Sequence, residues 1–239
     1  MPDYKKTPPV QNLLSVLIPA YNEEKTIREL IQRVQDADIG PLAKDIIVID
    51  NNSTDATHSI CAGVPGITLV KETAIGKGAA LKRGLREARG EFVIFQDADL
   101  EYDPNDYRAM IEPLLKNSAD GVLGVRIEGR QPYGVVIYIF AWLGNHMITA
   151  LTNMLYAHNA KEYEGCYKAF RKELIDSVDV KTDNFDYDNE LVCKLLKRKA
   201  RIVDVPIHYY PRKYSDGKKI NWKHGFLILW TILKYRFVD

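Results

Sequence analysis

The sequence predicts an α/β protein built on an open, doubly wound and mostly parallel sheet, with amphipathic helices at its C-terminal end. Three observations favour this class: short continuous apolar runs, amphipathic segments between them, and acidic or amide residues directly after the runs. Strands that are apolar on both sides are typical of parallel sheets covered by helices. The 239 residues, 46% of them hydrophobic, suffice for one such domain with a sizeable core.

The first half of the chain alternates between the two kinds of segment. Strands are predicted over residues 14–18, 46–49, 67–70 and 92–95. Apolar residues at helical spacing predict helices over residues 23–36 and 79–88. Because ligands of such sheets bind at the carboxyl ends of the strands, we expect the chemistry of this protein at those ends.

The second half is less regular. Strands are predicted over residues 120–126, 164–170 and 201–209, and helices over 133–157 (one or two), 189–197 and 222–237. We therefore expect a main domain over residues 13–225. The segment 226–239, apolar with basic residues near its end, would form a C-terminal helix.

Charge is unevenly distributed along the chain. The net charge is only +1, yet residues 194–236 carry twelve basic and two acidic side chains. Such a segment indicates an anionic partner, whether phosphate, acidic lipid or nucleic acid. The three cysteines have no metal-site spacing and favour a reducing compartment. No secretory core and no uninterrupted apolar span is found, so we expect a soluble or peripheral protein.

Acidic residues follow the predicted strands. Asp97, Asp99 and Glu101 come directly after the fourth strand at alternate positions. Clustered carboxylates require a cation, and hard oxygen ligands suit Mg²⁺ or Mn²⁺ holding substrate phosphates. Asp50 ends the second strand and residues 19–24 follow the first, so acids or amides gather at the predicted crevice.

A glycine-rich turn precedes the predicted helix 79–88. Gly76-Lys77-Gly78 suggests backbone close to a ligand, with Lys77 near a phosphate. An ordinary loop-to-helix turn is the alternative. The segment has neither the glycine spacing nor the Ser or Thr of a Walker loop, and no dinucleotide-binding glycine pattern follows a strand.

Taken in order, the blocks 19–24, 50–55, 76–78 and 97–99 resemble those of family-2 inverting glycosyltransferases. The later blocks 165–171, 185–191 and 205–220 resemble polyprenyl-phosphate hexosyltransferases, of which the dolichyl-phosphate mannose and glucose synthases are the best-known members. The resemblance covers roughly residues 13–225. It implies a GT-A fold, a nucleotide-diphosphate sugar as donor (GDP-mannose or UDP-glucose type), a divalent cation, and a polyprenyl phosphate as acceptor.

The resemblance also implies roles for individual residues. Together with Lys77, those expected to bind the nucleotide sugar are Pro19, Tyr21, Glu23, Asp50 and Asp97. The metal would lie on Asp99 and Glu101, and the acceptor phosphate on Arg126, Arg130, Arg212 and Lys218. The catalytic set would then be Asp97, Asp99, Arg126 and Arg130. Two departures from the family pattern are the Asn51-Asn52 pair and the acid at Glu101.

A polyprenyl acceptor would place the protein at a membrane. Residues 135–155 and 226–237 combine large apolar side chains with Trp, and basic residues flank the second segment. This combination is typical of an interfacial helix, although a core helix or an oligomer contact would show it too. The expected location is the cytoplasmic face of the membrane, with no nucleic-acid partner.

Two other functions remain open. Transfer to a saccharide or protein hydroxyl would need a general base, for which Asp186, Asp188 and Glu190 are candidates. Acids at a predicted helix start have a simpler explanation, because they interact favourably with the helix dipole. A non-catalytic nucleotide or nucleic-acid binding protein would explain the basic segment and leave the acidic cluster without a purpose.

Overall fold

The computed structural model describes residues 8–126, 135–212 and 222–238, without the side chains of 135–141 and 222–224. Its strands are β1 (Val10–Ala20), β2 (Ala43–Asp50), β3 (Thr68–Lys71), β4 (Gly90–Phe95), β5 (Gly121–Arg126), β6 (Lys168–Arg171) and β7 (Ile202–Ile207). Its helices are α1 (Ile27–Asp36), α2 (Thr57–Ala62), α3 (Lys77–Glu87), α4 (Tyr107–Leu115), α5 (Val135–Tyr156), α6 (Lys172–Asp176), α7 (Tyr187–Lys197) and α8 (Trp222–Phe237).

The seven strands form one sheet in the order β3-β2-β1-β4-β6-β5-β7. Neighbouring strands run parallel except at β6, which pairs antiparallel with both β4 and β5. The mostly parallel sheet is confirmed. Because β1, β2 and β4 are parallel neighbours, their carboxyl ends at Ala20, Asp50 and Phe95 lie along one edge, where the acidic residues follow.

Helices cover both faces of the sheet, as a doubly wound fold requires. Val16 and Ile18 of β1 pack on one face with α1, α2 and α4, whereas Leu17 packs on the other with α3 and α7. Alternate residues of a strand point to opposite faces, so a buried strand must be apolar throughout. This is why the continuous apolar runs predicted these strands.

Helix α1 begins four residues later than predicted. The amides of Asn22 and Glu24 donate to the side chains of Ser53 and Asp55 in the loop between β2 and α2. The Glu23 amide donates to the side chain of Thr57, the first residue of α2. Amides held in this way fix residues 22–24 as a turn at the sheet edge. Helices α2, α4 and α6 were not predicted, and the segment predicted over 133–157 is the single helix α5.

Helix α8 packs against α5 and α7. Ile228, Ile232 and Tyr235 join Ile148 and Cys193 in a small separate core. The opposite face of α8 leaves large apolar side chains exposed: Phe226 (68%), Trp230 (63%), Leu233 (41%) and Phe237 (81%). The predicted division after residue 225 falls inside this helix and stays a prediction. Among the described helices, none is long and apolar enough to span a membrane.

Candidate active site at the carboxyl edge of the sheet

The acidic residues that follow β4 belong to two ion-pair clusters. In the first, the Lys77 ammonium at the start of α3 lies 2.8 Å from Asp97 Oδ1 and 3.6 Å from Asp188 Oδ2. Lys168 in β6, whose side chain is 2% exposed, lies 3.9 Å from the same Asp188 oxygen. Two lysines and two aspartates therefore alternate in one largely buried cluster.

This lysine–aspartate cluster has opposite effects on its members' pKa values. Burial acts to raise the pKa of Asp97, but the charge and hydrogen bond of Lys77, with smaller contributions from Cys166 and Lys168, together outweigh it and the pKa is lowered. Burial likewise acts to lower the pKa of Lys77, yet Asp97 holds that pKa well above its usual range. Both groups therefore stay charged at neutral pH, and Asp97 is available as an ionised hydrogen-bond acceptor.

The second cluster joins three carboxylates to Arg212, in the segment after β7. The guanidinium Nη2 lies 2.6 Å from Asp99 Oδ2, and Nη1 lies 3.2 Å from Glu23 Oε2. Its Nε lies 3.8 Å from Glu101 Oε1. One cation thus faces three carboxylates whose side chains are each at most 11% exposed.

Glu101 also fixes the backbone of the segment that carries Arg212. Glu101 Oε1 accepts the Arg212 amide at 2.7 Å, and its Oε2 accepts the Tyr209 hydroxyl at 3.2 Å. The Tyr210 amide donates to the Glu101 carbonyl at 2.7 Å. The acid that departs from the family pattern therefore ties the loop after β4 to the segment after β7.

The carboxylate of Asp99 is poised for a cation. Burial raises its pKa to about 7, and the charges of Asp97 and Glu101 add to the effect, while Arg212 opposes it. A carboxyl group held between burial and like charges is stabilised in its ionised form by any additional positive charge nearby.

These residues fit a divalent cation. Asp99 and Glu101 supply hard oxygen atoms, although the described residues contain no group of three acidic, His or Cys side chains that could hold a metal. A Mg²⁺ ion is usually held by one or two carboxylates, and substrate phosphates and water complete its coordination. The protein would therefore hold the metal together with the donor diphosphate.

The predicted nucleotide residues lie at the same edge, with different surroundings. Pro19 pairs with Ile49 within the sheet, and Tyr21 is 47% exposed. Asp50 is 1% exposed, and its carboxylate accepts the Ser53 amide at 3.0 Å and contacts His58 Nδ1 at 2.9 Å. Asp50 thus shapes the loop after β2, and its role toward a nucleotide stays a prediction.

The Asn51-Asn52 pair has a structural explanation. Asn51 donates to the carbonyls of Glu72 and Ala74 and accepts the Gly76 amide, so it joins β2 to the turn before α3. Asn52 has φ 63°, a left-handed conformation that Asn tolerates better than most residues and that Gly adopts freely. Residues 50–53 are Asp-Asn-Asn-Ser where the resembled family commonly has Asp-Asp-Gly-Ser, so Asn52 occupies the place of that glycine.

The glycines around Lys77 are required by packing. Gly76 has φ +129°, and a Cβ there would lie 2.1 Å from the Asp183 carbonyl oxygen. A Cβ on Gly78 would lie 2.8 Å from the carbonyl carbon of Asp183. The Ala79 amide donates to the Asp183 carbonyl at 3.1 Å, which takes up one amide of the α3 N-terminus. The turn is therefore packed against protein backbone, and phosphate binding by Lys77 stays a prediction.

Arg126, at the end of β5, is held by two neighbours. Its Nε donates to Glu162 Oε1 at 2.7 Å, and its guanidinium lies over the Tyr209 ring at 4.9 Å. Burial acts to lower the pKa of Arg126, but Tyr102 and Glu162 outweigh it and the pKa is raised. Arg126 and Arg212 are therefore linked through a hydrogen-bonded pair: Arg126 contacts Tyr209, Tyr209 donates to Glu101, and Glu101 accepts the amide of Arg212. Arg130 and Lys218 lie outside the described residues.

Sequence reasoning missed Lys168 and Glu162. Lys168 lies between the apolar residues Tyr167 and Ala169 of a predicted strand, and a buried lysine needs a carboxylate partner. That pattern could have indicated its contact with Asp188. Glu162 precedes β6 in an irregular segment, where no periodicity indicates its pairing with Arg126.

Comparison with known proteins identifies the family of the chain. The profile of "Glycosyl transferase family 2" matches residues 15–179, more than half of the chain. The chain is 27% identical to glycosyltransferase AglJ of Haloferax volcanii over 89% of its own length and 67% of that protein. It is 25% identical to a UDP-N-acetylglucosamine–dolichyl-phosphate N-acetylglucosaminyltransferase of Methanococcus voltae, with 92% and 95% covered. It is 26% identical to a dolichol-phosphate mannosyltransferase of Pyrococcus furiosus, and the match covers 86% of this chain but only 58% of that protein.

A solved structure shows the same fold. Glucosyl-3-phosphoglycerate synthase from Mycobacterium tuberculosis, crystallised with Mn²⁺, UDP and phosphoglyceric acid, superposes with a TM-score of 0.74. The identity is 21%, and the match covers 95% of this chain and 80% of that one. With the sheet order, the acidic residues after β4 and the profile match in agreement, the chain belongs to glycosyl transferase family 2 and is a glycosyltransferase of the GT-A fold.

Proposed function

We propose that this chain transfers a hexose from a nucleotide-diphosphate sugar, of the GDP-mannose or UDP-glucose type, to a polyprenyl phosphate. The observation that carries the acceptor class is the convergence of Arg126 and Arg212 on Glu101 and Tyr209, beside Asp99. Two guanidinium groups next to a candidate metal site suit a second phosphate besides the donor diphosphate. The dolichyl-phosphate enzymes of Methanococcus voltae and Pyrococcus furiosus support this choice.

In the proposed reaction, a phosphate oxygen of the acceptor attacks the sugar's anomeric carbon. The bond to the donor diphosphate breaks with inversion, and the nucleoside diphosphate leaves with the electron pair. A phosphate monoester has a second pKa of about 6 and is largely dianionic at neutral pH, so no base has to remove a proton. A divalent cation, when bound, neutralises charge on the leaving diphosphate. Arg126 would orient the acceptor phosphate, and Asp97 would accept hydrogen bonds from the donor.

A hydroxyl acceptor is the second candidate, favoured by one observation. Of the three candidate bases, Asp186 accepts from Thr182 and Thr231, and Glu190 is fully buried and paired with Lys194. Asp188 Oδ1 is buried and makes no hydrogen bond within the described residues. Asp188 is therefore the candidate base for a saccharide or protein hydroxyl.

The exposed face of α8 supports a membrane surface as partner. Phe226, Trp230, Leu233 and Phe237 follow one another at helical spacing on the side away from α7. Lys234 and Arg236 lie in the last turn of the helix. Apolar and aromatic side chains with flanking cations are typical of helices at an anionic bilayer surface. The cytoplasmic face is the proposed side because the polyprenyl phosphate and the nucleotide sugar have to meet there.

The test uses labelled nucleotide sugars with two matched acceptors. A panel of UDP- and GDP-hexoses is incubated with polyprenyl phosphate or with the corresponding polyprenol, and label in the organic phase is counted. We expect label in the organic phase with polyprenyl phosphate and none with polyprenol. The label should be lost in EDTA and recovered with Mg²⁺ or Mn²⁺. Transfer to polyprenol at an equal rate, or to a saccharide but not to the lipid phosphate, would contradict it.

Metal dependence is tested by substitution as well as by chelation. Asp99→Asn should abolish transfer, because it removes the charge of the candidate metal ligand. Glu112→Gln is the matched control, since Glu112 pairs with Lys116 on the exposed side of α4. Circular dichroism of both variants checks the fold. Full turnover of Asp99→Asn would contradict the metal assignment.

A further inference from the structure

Arg212 lies where a cation is needed, on the carboxylates assigned to the metal. Its Nη2 is 2.6 Å from Asp99 Oδ2 and its Nη1 is 3.2 Å from Glu23 Oε2, and the arginine side chain is 19% exposed. A guanidinium at 2.6 Å uses the Asp99 oxygen that a divalent cation would coordinate. A divalent cation on the same carboxylate would lie within a few Å of the guanidinium, and the two positive charges would repel each other.

The backbone of this segment is fixed separately from the side chain of Arg212. The Arg212 amide is held by Glu101 Oε1 at 2.7 Å, and the Tyr210 amide is held by the Glu101 carbonyl at 2.7 Å. Release of the guanidinium from Asp99 therefore needs only rotation about side-chain bonds. A rotation of this kind is far faster than any rearrangement of the sheet edge.

The segment that carries Arg212 also contacts Arg126, through the ring of Tyr209. Glu101, which holds the Arg212 backbone, also binds the Tyr209 hydroxyl, and Arg126 lies over the Tyr209 ring. Arg126 is the residue proposed to bind the acceptor phosphate. The backbone of Arg212 is thus fixed between the metal carboxylates and the proposed acceptor position.

We infer that Arg212 and the divalent cation compete for Asp99, and that arrival of the metal with the donor transfers Arg212 from Asp99 to the acceptor phosphate. The second half of this inference rests on the proposed function. Before the donor arrives, Arg212 neutralises the carboxylates and is unavailable to the acceptor. Once the metal occupies Asp99, repulsion would turn the guanidinium from Asp99 toward the acceptor phosphate.

The competition is tested with Mn²⁺ alone, in the absence of sugar and lipid. Mn²⁺ binding to the whole chain is measured by electron paramagnetic resonance for the wild type, Arg212→Met and Arg212→Gln. At a pH where Asp99 is ionised, removal of the competing cation should tighten Mn²⁺ binding by about tenfold or more, because the guanidinium no longer repels the metal. Arg108→Met is the matched control, because Arg108 pairs with Asp38 at the same 2.6 Å on the exposed surface.

The release of Arg212 has its own readout. Exchange of the Arg212 Nε–H with solvent, followed by NMR and assigned from the signal missing in Arg212→Met, should accelerate when Mg²⁺ with UDP or GDP is added. Unchanged or weaker Mn²⁺ binding in a folded Arg212 variant would overturn the inference. So would unchanged exchange at saturating Mg²⁺-nucleotide. If Mn²⁺ binding tightens but no sugar reaches polyprenyl phosphate, the competition stands and the proposed function fails.

Discussion

The lysine–aspartate cluster behind the active site leads to a prediction about Asp188. Asp188→Asn removes the negative charge that lies 3.6 Å from Lys77 and 3.9 Å from Lys168. From the sequence, Asp188 is a helix-start charge worth roughly 0.3–1 kcal/mol. In the structure its side chain is only 13% exposed, and it lies between two buried ammonium groups. We therefore expect a considerably larger loss of stability.

The size of the loss follows from burial and distance. At an effective dielectric constant of about 20, two unit charges 4 Å apart attract each other by about 4 kcal/mol. Desolvation of the charges offsets most of this attraction in the native protein. Removal of one partner nevertheless costs about 3–5 kcal/mol, since the other charge remains buried and unpaired. Because Lys77 keeps Asp97 and Lys168 donates to the Gly165 carbonyl, we expect the lower end, about 3 kcal/mol.

The measurement is urea unfolding of the wild type, Asp188→Asn, Lys77→Met and the double variant. A loss of about 3 kcal/mol corresponds to a fall in Tm of roughly 6–12 °C for a domain of this size. The sum of the two single-variant losses in unfolding free energy should exceed the loss in the double variant by at least about 1 kcal/mol, because the residues interact directly. Glu112→Gln, in an exposed pair, should change stability by less than about 1 kcal/mol. Additive losses, or a loss below about 1 kcal/mol for Asp188→Asn, would refute the reasoning.

Three further predictions concern other parts of the chain. Gly76→Ala should destabilise the fold by about 2–5 kcal/mol in urea unfolding, because a Cβ meets the Asp183 carbonyl at φ +129°, whereas Gly63→Ala, with ordinary contacts, should change it by less than about 1 kcal/mol. Trp230→Glu should reduce flotation with anionic liposomes, and higher salt should weaken binding of the wild type; unchanged flotation would assign α8 to a protein contact. A hydrogen bond from His208 to Asp106 raises the pKa of His208 above 6.5, so this pair stabilises the fold below about pH 6.5 and the contribution is lost as pH rises through the folded-state pKa. In Asp106→Asn, an NMR titration should show the His208 pKa returning toward 6.5, and a pKa unchanged by the substitution would contradict this assignment.

The central sheet could be predicted because its strands are buried on both faces. In β1 and β2 every residue of the predicted runs is buried, so hydropathy alone marks them. Helix α4 escaped prediction because Pro113 lies inside it and a short 3-10 turn over residues 104–106 precedes it. Strand β6 has four residues, including the buried Lys168, and its antiparallel direction depends on contacts distant in sequence.

For the candidate active site, the position of the acidic residues could be predicted from the sequence, but their ion-pair partners could not. Parallel strands bring Asp50, Asp97 and Asp99 to one edge, and a motif after a strand is enough to predict that. Which cation each acid binds depends on residues far along the chain. Arg212 reaches Asp99 across 113 positions, and Glu162 reaches Arg126 across 36. No local pattern encodes such pairs.

Substitution of Asp188 would not distinguish a phosphate acceptor from a hydroxyl acceptor. A phosphate acceptor makes a base unnecessary, and a helix-terminal Asp188 could then be replaced by Asn with a small loss of activity. Because Asp188 is buried between Lys77 and Lys168, its substitution should disturb the site with either acceptor. Comparison of polyprenyl phosphate with polyprenol avoids this ambiguity, since it changes the acceptor and leaves the protein intact.

Charge balance explains why two acids separated by one residue would have different roles. Asp97 belongs to a cluster in which two lysines match two aspartates, and its pKa is lowered. Asp99 shares a single arginine with Glu23 and Glu101, and burial raises its pKa to about 7. A divalent cation near Asp97 would be repelled by Lys77, whereas near Asp99 it would relieve repulsion between carboxylates. The surroundings that would fit Asp99 for the metal are thus the reason to propose that Asp97 accepts hydrogen bonds from the hydroxyl groups of the donor.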